Sequence, residues 1–299
     1  MKYIAGIDVG TSGTKTMILD TDGNVIGSGY LEYGSLYPHP GWVEQDAELI
    51  INKTFETCKI AIEKSKVDPK NIASIGFSTQ RSTFAMLGED MRPIENVFYS
   101  WQDGRSASLL GEMAEIMDPE VKHLKNGMPH NPYDSLPKIY WIMKNKPEVY
   151  KVTKYISTMT DYVLLRFGMD GMKTELTCAN CTDLIDPIAK DWCWEVIDAF
   201  GIDRAKLAPL VGPSTVVGHI TEELSELTGF AVGTPVCTGS GDQQCSAVGA
   251  GVVTEGAASL TLGTSGFLVI GSEHADLAKL PGIMFANNAG NTDLYELEC

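Results

Sequence analysis

The sequence predicts an α/β protein built on a strand–turn–strand plan that is used twice. Three observations carry this expectation. An apolar run opens the chain and ends in a glycine- and hydroxyl-rich turn, Gly-Thr-Ser-Gly-Thr-Lys at residues 10–15. A long region of helical spacing follows, and Gly-Thr-Ser-Gly then returns as Gly263, Thr264, Ser265 and Gly266 between two further strand-like runs.

In chain order, residues 3–9 are apolar apart from Gly6 and Asp8 and read as a buried strand. Residues 16–20 read as a second strand, and Thr21-Asp22-Gly23-Asn24 supplies tight-turn chemistry. Residues 25–33 return as a third, giving an antiparallel meander. From Asp46 onward Leu49, Ile50, Phe55, Cys58 and Ile62 mark one face of a helix. Short strands are expected at 72–78 and 83–87, and amphipathic helices at 107–117, 135–145, 160–166, 192–200 and 222–228. Residues 235–239 form the next strand, which runs into Ser-Gly-Asp-Gln-Gln and a small-residue helix at 245–251. Residues 257–262 and 267–271 make a hairpin around the second Gly-Thr-Ser-Gly. Because the strand-and-glycine logic restarts there, the chain is divided into a first domain, 1–245, and the start of a second, 246–299. About fifty residues lie near the lower limit for an independent core. Residues 293–299 read as a strand in progress, so the second domain is expected to be truncated.

Across 299 residues, 43% hydrophobic and 21% charged content describes a soluble globular chain. A formal net charge of -16 argues against a nucleic-acid or anionic-membrane partner, which needs a basic face, while leaving small anionic ligands open. The seven cysteines, an odd number with no charged leader and apolar stretch before them, point to reduced thiols in the cytoplasm. Cys178 and Cys181 form a C-x-x-C, but no second pair follows at zinc spacing, so ordinary buried thiols are expected. No uncharged apolar run reaches membrane-spanning length.

Chemistry is concentrated in the turns. Gly10 and Gly13 are expected to permit positive φ and close approach, with Thr11, Ser12 and Thr14 as donors to an anion and Lys15 as an added point charge or an exposed strand residue. For this stretch taken alone a structural turn is the favoured reading, and the second copy is what shifts the balance. Asp8, a carboxylate inside an apolar strand, needs a partner, and a hydrated Mg²⁺ or its own turn would provide one. Asp242 stands after two glycines where a helix begins; a general base and a helix N-cap are both compatible with that position.

The Asp8–Lys15 stretch, P-G-W-V-E-Q-D at 40–46, S-W-Q-D-G-R at 100–105 and G-D-Q-Q at 241–244 together resemble, in order, the FGGY family of carbohydrate kinases, which includes glycerol kinases and xylulokinases. The resemblance implies a duplicated actin-like, ribonuclease-H-like fold with two α/β domains flanking a cleft. It implies that Gly10 to Lys15 and Gly263 to Gly266 hold ATP phosphates, that Asp8 helps to organise Mg²⁺, and that Asp242 is the catalytic base. It places Gln80, Arg81, Ser82, Trp101, Asp103, Tyr133, Gln243 and Phe267 at the sugar. Ser82 stands where glycerol kinases carry a carboxylate, which counts against glycerol. The expected activity is ATP-dependent phosphorylation of a ketose or polyol, most nearly xylulose, in a cytoplasmic protein with room for a homodimer. A glycerol kinase-like activity, an inactive fragment and a sugar-binding module are the alternatives.

Overall fold

The computed structural model describes residues 2–262, 266–274, 276–280 and 282–299. Strands Tyr3–Val9, Gly13–Asp20 and Val25–Glu32 form the expected antiparallel meander. Strand Ile72–Thr79 lies parallel to the first on its other side, and Pro235–Cys237 and Ser240–Gly241 run parallel to Ile72–Thr79. Val216–His219 closes that edge antiparallel, completing a seven-stranded sheet among the described residues.

Alternation sets the faces. Ile7, Val9 and Ile18 point inward and are essentially fully buried, together with Phe55, Phe77 and Phe167. Each such side chain removed from water contributes about 1.5–3 kcal/mol. Helix Ala47–Ser65 covers this face; Asp46 caps it by accepting the Leu49 N–H at 2.8 Å. The helix meets the meander through hydroxyls as well as carbons, with Thr57 Oγ1 2.9 Å from Thr16 Oγ1.

A second layer is built on Glu44–Asp46, Val97–Tyr99, Phe84–Leu87 and Tyr155–Thr158, and its core joins Phe84, Tyr99, Leu136, Ile139, Val196 and Ile197. A separate antiparallel sheet follows residue 250 in the order Ala258–Leu262, Gly266–Ser272, Tyr295–Glu298, Met284–Asn287. Its own apolar cluster is small: Ala247, Val252 and Val269. Cross-links to the first body hold it, including Phe285 N–H to the Gly127 carbonyl at 2.9 Å and Asn287 N–H to Asn180 Oδ1 at 2.9 Å.

Three local expectations change. Helix Asp242–Gly249 starts at Asp242 itself rather than at Cys245, because the turn before it ends in extended backbone at Gly241. The helix expected at 192–200 is confined to Trp194–Ala199, since Asp191–Trp192 pairs with Ile185–Asp186 as a short hairpin. Helices Pro119–Asn126 and Pro147–Val152 were not foreseen; each carries proline in its first turn, where the missing N–H has no intrahelical partner to lose. No described helix is long and apolar enough to cross a membrane.

Candidate active site

A cavity of about 560 Å³ lies where three mutually parallel strands end. Thr11 follows Tyr3–Val9, Arg81 and Ser82 follow Ile72–Thr79, and Asp242 follows Ser240–Gly241. The carboxyl ends of parallel strands leave a crevice of this kind. The late sheet supplies the opposite wall through Thr261, Phe267 and Met284.

Two glycines deliver Asp242. A Cβ at Gly239 would lie 1.4 Å from the Phe77 carbonyl oxygen, and one at Gly241 would lie 2.5 Å from the Arg81 side-chain carbons. Only a backbone without side chains can lie this close to Ile72–Thr79 and turn into the helix. Asp242 then accepts the Gln243 N–H at 2.8 Å, with Arg81 Nε 3.8 Å away and 38% of the side chain still open to the cavity. Enclosure raises its pKa above the ordinary aspartate range, opposed by the Arg81 guanidinium. A raised pKa makes the ionised carboxylate a better proton acceptor. Behind it, Ser240 Oγ meets Thr177 Oγ1, and Thr177 is held by the Glu175 carboxylate at 2.8 Å.

Arg81 is braced rather than free. Its Nη1 is 2.6 Å from Glu298 Oε2 on the late sheet, and its guanidinium sits 5.4 Å from the centre of the Phe267 ring. Trp101 and Tyr133 form the rim, 41% and 51% exposed. Trp101 Nε1 donates to Thr11 Oγ1 at 2.9 Å.

The first turn is held by its carbonyls. Tyr33 donates from its hydroxyl to the Gly10 oxygen and from its N–H to the Ser12 oxygen, and Gln45 Nε2 reaches the Thr11 oxygen at 2.8 Å. The Thr11 and Ser12 N–H groups have no partner among the described residues. Asp8 lies just inside, accepting the Ser78 hydroxyl at 2.7 Å; burial raises its pKa, with Ser78 and Lys15 opposing. A Cβ at Gly10 would stand 3.6 Å from Asp8 Oδ2, an ordinary contact, which places the turn directly beside that carboxylate. One carboxylate beside a turn that can take phosphates fits Mg²⁺, which is completed by phosphate oxygens and water rather than by a protein cage.

Several expected contacts fall elsewhere. Gly10 and Gly13 both have ordinary negative φ; what Gly13 requires is space, since a Cβ would lie 2.7 Å from the Tyr30 hydroxyl. Thr14 is fully buried and its hydroxyl accepts from Thr54 of helix Ala47–Ser65, pointing away from any phosphate. Lys15 is the exposed strand residue opposite Asp8, and Ser12 is exposed. Gln80 stands one layer back, donating to Gln45 at 2.7 Å and so steadying Thr11. Asp103 is also behind the wall, buried against Arg105, whose Nε lies 2.8 Å away, and accepting the Val43 N–H at 2.6 Å. Gln243 and Phe267 do line the cavity, as do Arg81, Ser82, Trp101 and Tyr133. Gly263, Thr264 and Ser265 lie outside the described residues, and Gly266 begins the strand after them. Sequence reasoning missed Asn131, Asp134, Cys181 and Glu298. The first two flank Tyr133, a usable signal; Glu298 gave none.

The geometry has counterparts among known proteins. A family model described as "FGGY family of carbohydrate kinases, N-terminal domain" matches residues 3–249. A glycerol kinase of Thermococcus gammatolerans is 30% identical over 272 residues, 90% of this chain and 54% of that protein. A xylulose kinase of Bacillus subtilis is 28% identical over 303 residues, 99% of this chain and 59% of that one. The ligand-bound xylulose kinase structure from Lactobacillus acidophilus superposes with a TM-score of 0.90 at 23% identity, covering 100% of this chain and 59% of that one. The chain thus spans somewhat more than half the length of these relatives.

Proposed function

The chain belongs to the FGGY family of carbohydrate kinases, and from that premise we propose that it serves ATP-dependent transfer of the γ-phosphate to a hydroxyl of a ketose or polyol in the cytoplasm, most nearly xylulose. The observation that carries the reading is Asp242, 38% open at a cavity that Thr11 of the turn after the first strand also lines. We divide the work at about residue 245, with the sugar and the first phosphate turn on residues 1–245 and nucleotide contacts on residues 246–299 and beyond the second Gly-Thr-Ser-Gly.

In this mechanism the substrate hydroxyl donates to Asp242, which takes its proton as the oxygen bonds to the γ-phosphorus. The bond from that phosphorus to the β–γ bridging oxygen breaks, and ADP leaves with the pair of electrons. Thr11 and Ser12 N–H groups hold phosphate oxygens in line, and Gln45 and Tyr33 keep that turn from yielding. Asp8 would help to hold Mg²⁺, which when bound would neutralise charge on the phosphates. Positioning and electrostatics provide most of the rate in such transfers. Arg81, fixed by Glu298 and Phe267, offers its remaining N–H groups to substrate oxygens.

The test is an ATP-consumption screen over ketoses, polyols and glycerol, run on the protein and on Asp242→Ala. Turnover with a five-carbon ketose that vanishes in the variant supports the reading. Turnover with glycerol alone moves the substrate assignment to the smaller polyol. Retained turnover in Asp242→Ala overturns the base.

A further inference from the structure

The cavity holds a carboxylate that the mechanism above leaves unused. Asp134 occupies the N-cap position of helix Ser135–Asn145, yet its side chain makes no cap hydrogen bond. An N-cap aspartate ordinarily satisfies one of the first helical N–H groups. Here Asp134 lines the cavity instead, and the residue is only 7% exposed.

Its partners do not saturate it. Asn131 Nδ2 donates to Oδ2 at 2.7 Å, and the Ser82 hydroxyl lies 3.3 Å from Oδ1. A carboxylate offers about four lone-pair sites, so acceptor capacity remains. The two lysines nearby are committed elsewhere. Lys138 Nζ spends its N–H groups on the carbonyls of Ser82, Ser100 and Tyr133, at 3.0, 2.8 and 2.8 Å. Lys122 Nζ binds Asp183 at 2.6 Å and the Pro129 carbonyl at 3.3 Å. They oppose in part the effect of burial on Asp134, without touching it. Ser82 is itself held at φ 53°, a left-handed conformation that costs a serine energy and that tends to cluster at binding sites. The Lys138 bond to its carbonyl is one of the contacts that hold it there.

We propose that Asp134 accepts a hydrogen bond from a substrate hydroxyl remote from the reacting one, and that it makes the cavity select neutral polyhydroxylated substrates over their carboxylate counterparts. The inference rests on the sugar-kinase reading. Asp242 and Asp134 both face the cavity, and the guanidinium of Arg81 is already paired with Glu298 at 2.6 Å. A hydroxyl satisfies the open acceptor sites of Asp134. A substrate carboxylate would instead meet two carboxylates and a cation whose charge Glu298 already offsets. Burial and the neighbouring Asp183 push the pKa of Asp134 up to about 7, so the acceptor role belongs to the ionised form above that pH.

Isothermal titration calorimetry with xylulose, xylitol and xylonate, on the protein and on Asp134→Asn, tests this. The protein is expected to bind xylulose and xylitol at least about 10-fold more tightly than xylonate. Asp134→Asn should weaken the neutral ligands by about 10- to 100-fold, the range for one hydrogen bond to a charged group, and narrow the preference over xylonate. That preference is a ratio within one sample and does not depend on the fraction folded. An unchanged ratio in Asp134→Asn, or xylonate bound as tightly as xylulose by the protein, overturns the role of Asp134. If the protein binds xylulose but Asp242→Ala turns over normally, the kinase mechanism fails while the Asp134 result stands by itself. Binding of none of the three by the protein sinks the sugar reading and this inference with it.

Discussion

Asp242 and Asp8 are both enclosed carboxylates with raised pKa values, and their neighbours separate their work. Asp242 faces the cavity beside Arg81, whereas Asp8 sits under the turn with Ser78 as its donor. Replacing Asp242 by alanine is expected to cut kcat by about 10²- to 10⁴-fold while leaving sugar affinity nearly unchanged. Calorimetry beside a coupled ADP assay separates the two effects. The acid limb of kcat/KM should lie above the ordinary aspartate value of 3.8, because burial raises the pKa and the protonated carboxylate cannot accept the substrate proton. Activity should fall as pH drops through that limb, and a limb at or below the ordinary value would count against Asp242. Asp8→Asn should raise the Mg²⁺ concentration needed for half-maximal rate; an unchanged requirement removes its metal role. Motifs made many of these residues legible, but not their direction. S-W-Q-D-G-R contains Trp101 on the rim and Asp103 behind it, and the difference comes from Arg105. That guanidinium binds Asp103 and lies 4.1 Å from the Trp42 ring and 4.8 Å from the Tyr99 ring, contacts that local spacing does not encode. Thr14 turns inward for the same kind of reason, because helix Ala47–Ser65 provides the Thr54 hydroxyl.

The segment from Thr238 to Asp242 works because it can lie almost on top of strand Ile72–Thr79. Gly239→Ala should therefore destabilise the fold by about 1–3 kcal/mol or more, the usual cost of forcing atoms into a packed interior. Gly212→Ala, where a Cβ meets nothing within 4 Å, is the matched control and should stay within about 0.5 kcal/mol. Urea denaturation of both variants reads the contrast, and equal stabilities would remove the close-approach argument. Elements with a clear period were legible: the meander, helix Ala47–Ser65 and the antiparallel pair Ala258–Leu262 and Gly266–Ser272 follow from alternation and 3.6-residue spacing. Glu44–Asp46 was not, because a three-residue strand has no period and is defined by its partners, Val97–Tyr99 and the bridge to Leu36. Helix Pro119–Asn126 was missed because its exposed Val121 and Leu124 blur any apolar face.

Across the whole molecule, buried acids connect stability to pH. Asp161 closes a capping box at Thr158 and accepts the Glu175 N–H at 2.9 Å, while Glu175 caps the helix that reaches toward the Asp242 turn. Burial pushes both carboxyls up to about 7, from 3.8 and 4.5. The folded state therefore keeps protons that the unfolded chain has released, and the stability they contribute is full below about pH 4 and lost as pH rises through about 7. The urea midpoint should fall between pH 6 and pH 8, less steeply in Glu175→Gln; an identical slope in the variant would dismiss this linkage. At this scale the duplicated plan was legible because glycine turns recur, whereas the meeting of its parts was not. The Arg81–Glu298 pair joins residues 217 positions apart, and no local pattern announces it. That separation has a consequence in time. A chain emerging from the ribosome completes its first sheet while Arg81 still lacks its anchor, and the wall carrying Phe267 and Glu298 arrives later. Contacts of such long range close slowly, so the nascent protein would pass through a stage with its first sheet made and its cavity still missing a wall. Ligand would then stabilise only the finished product and give no help to the intermediates that most need protection.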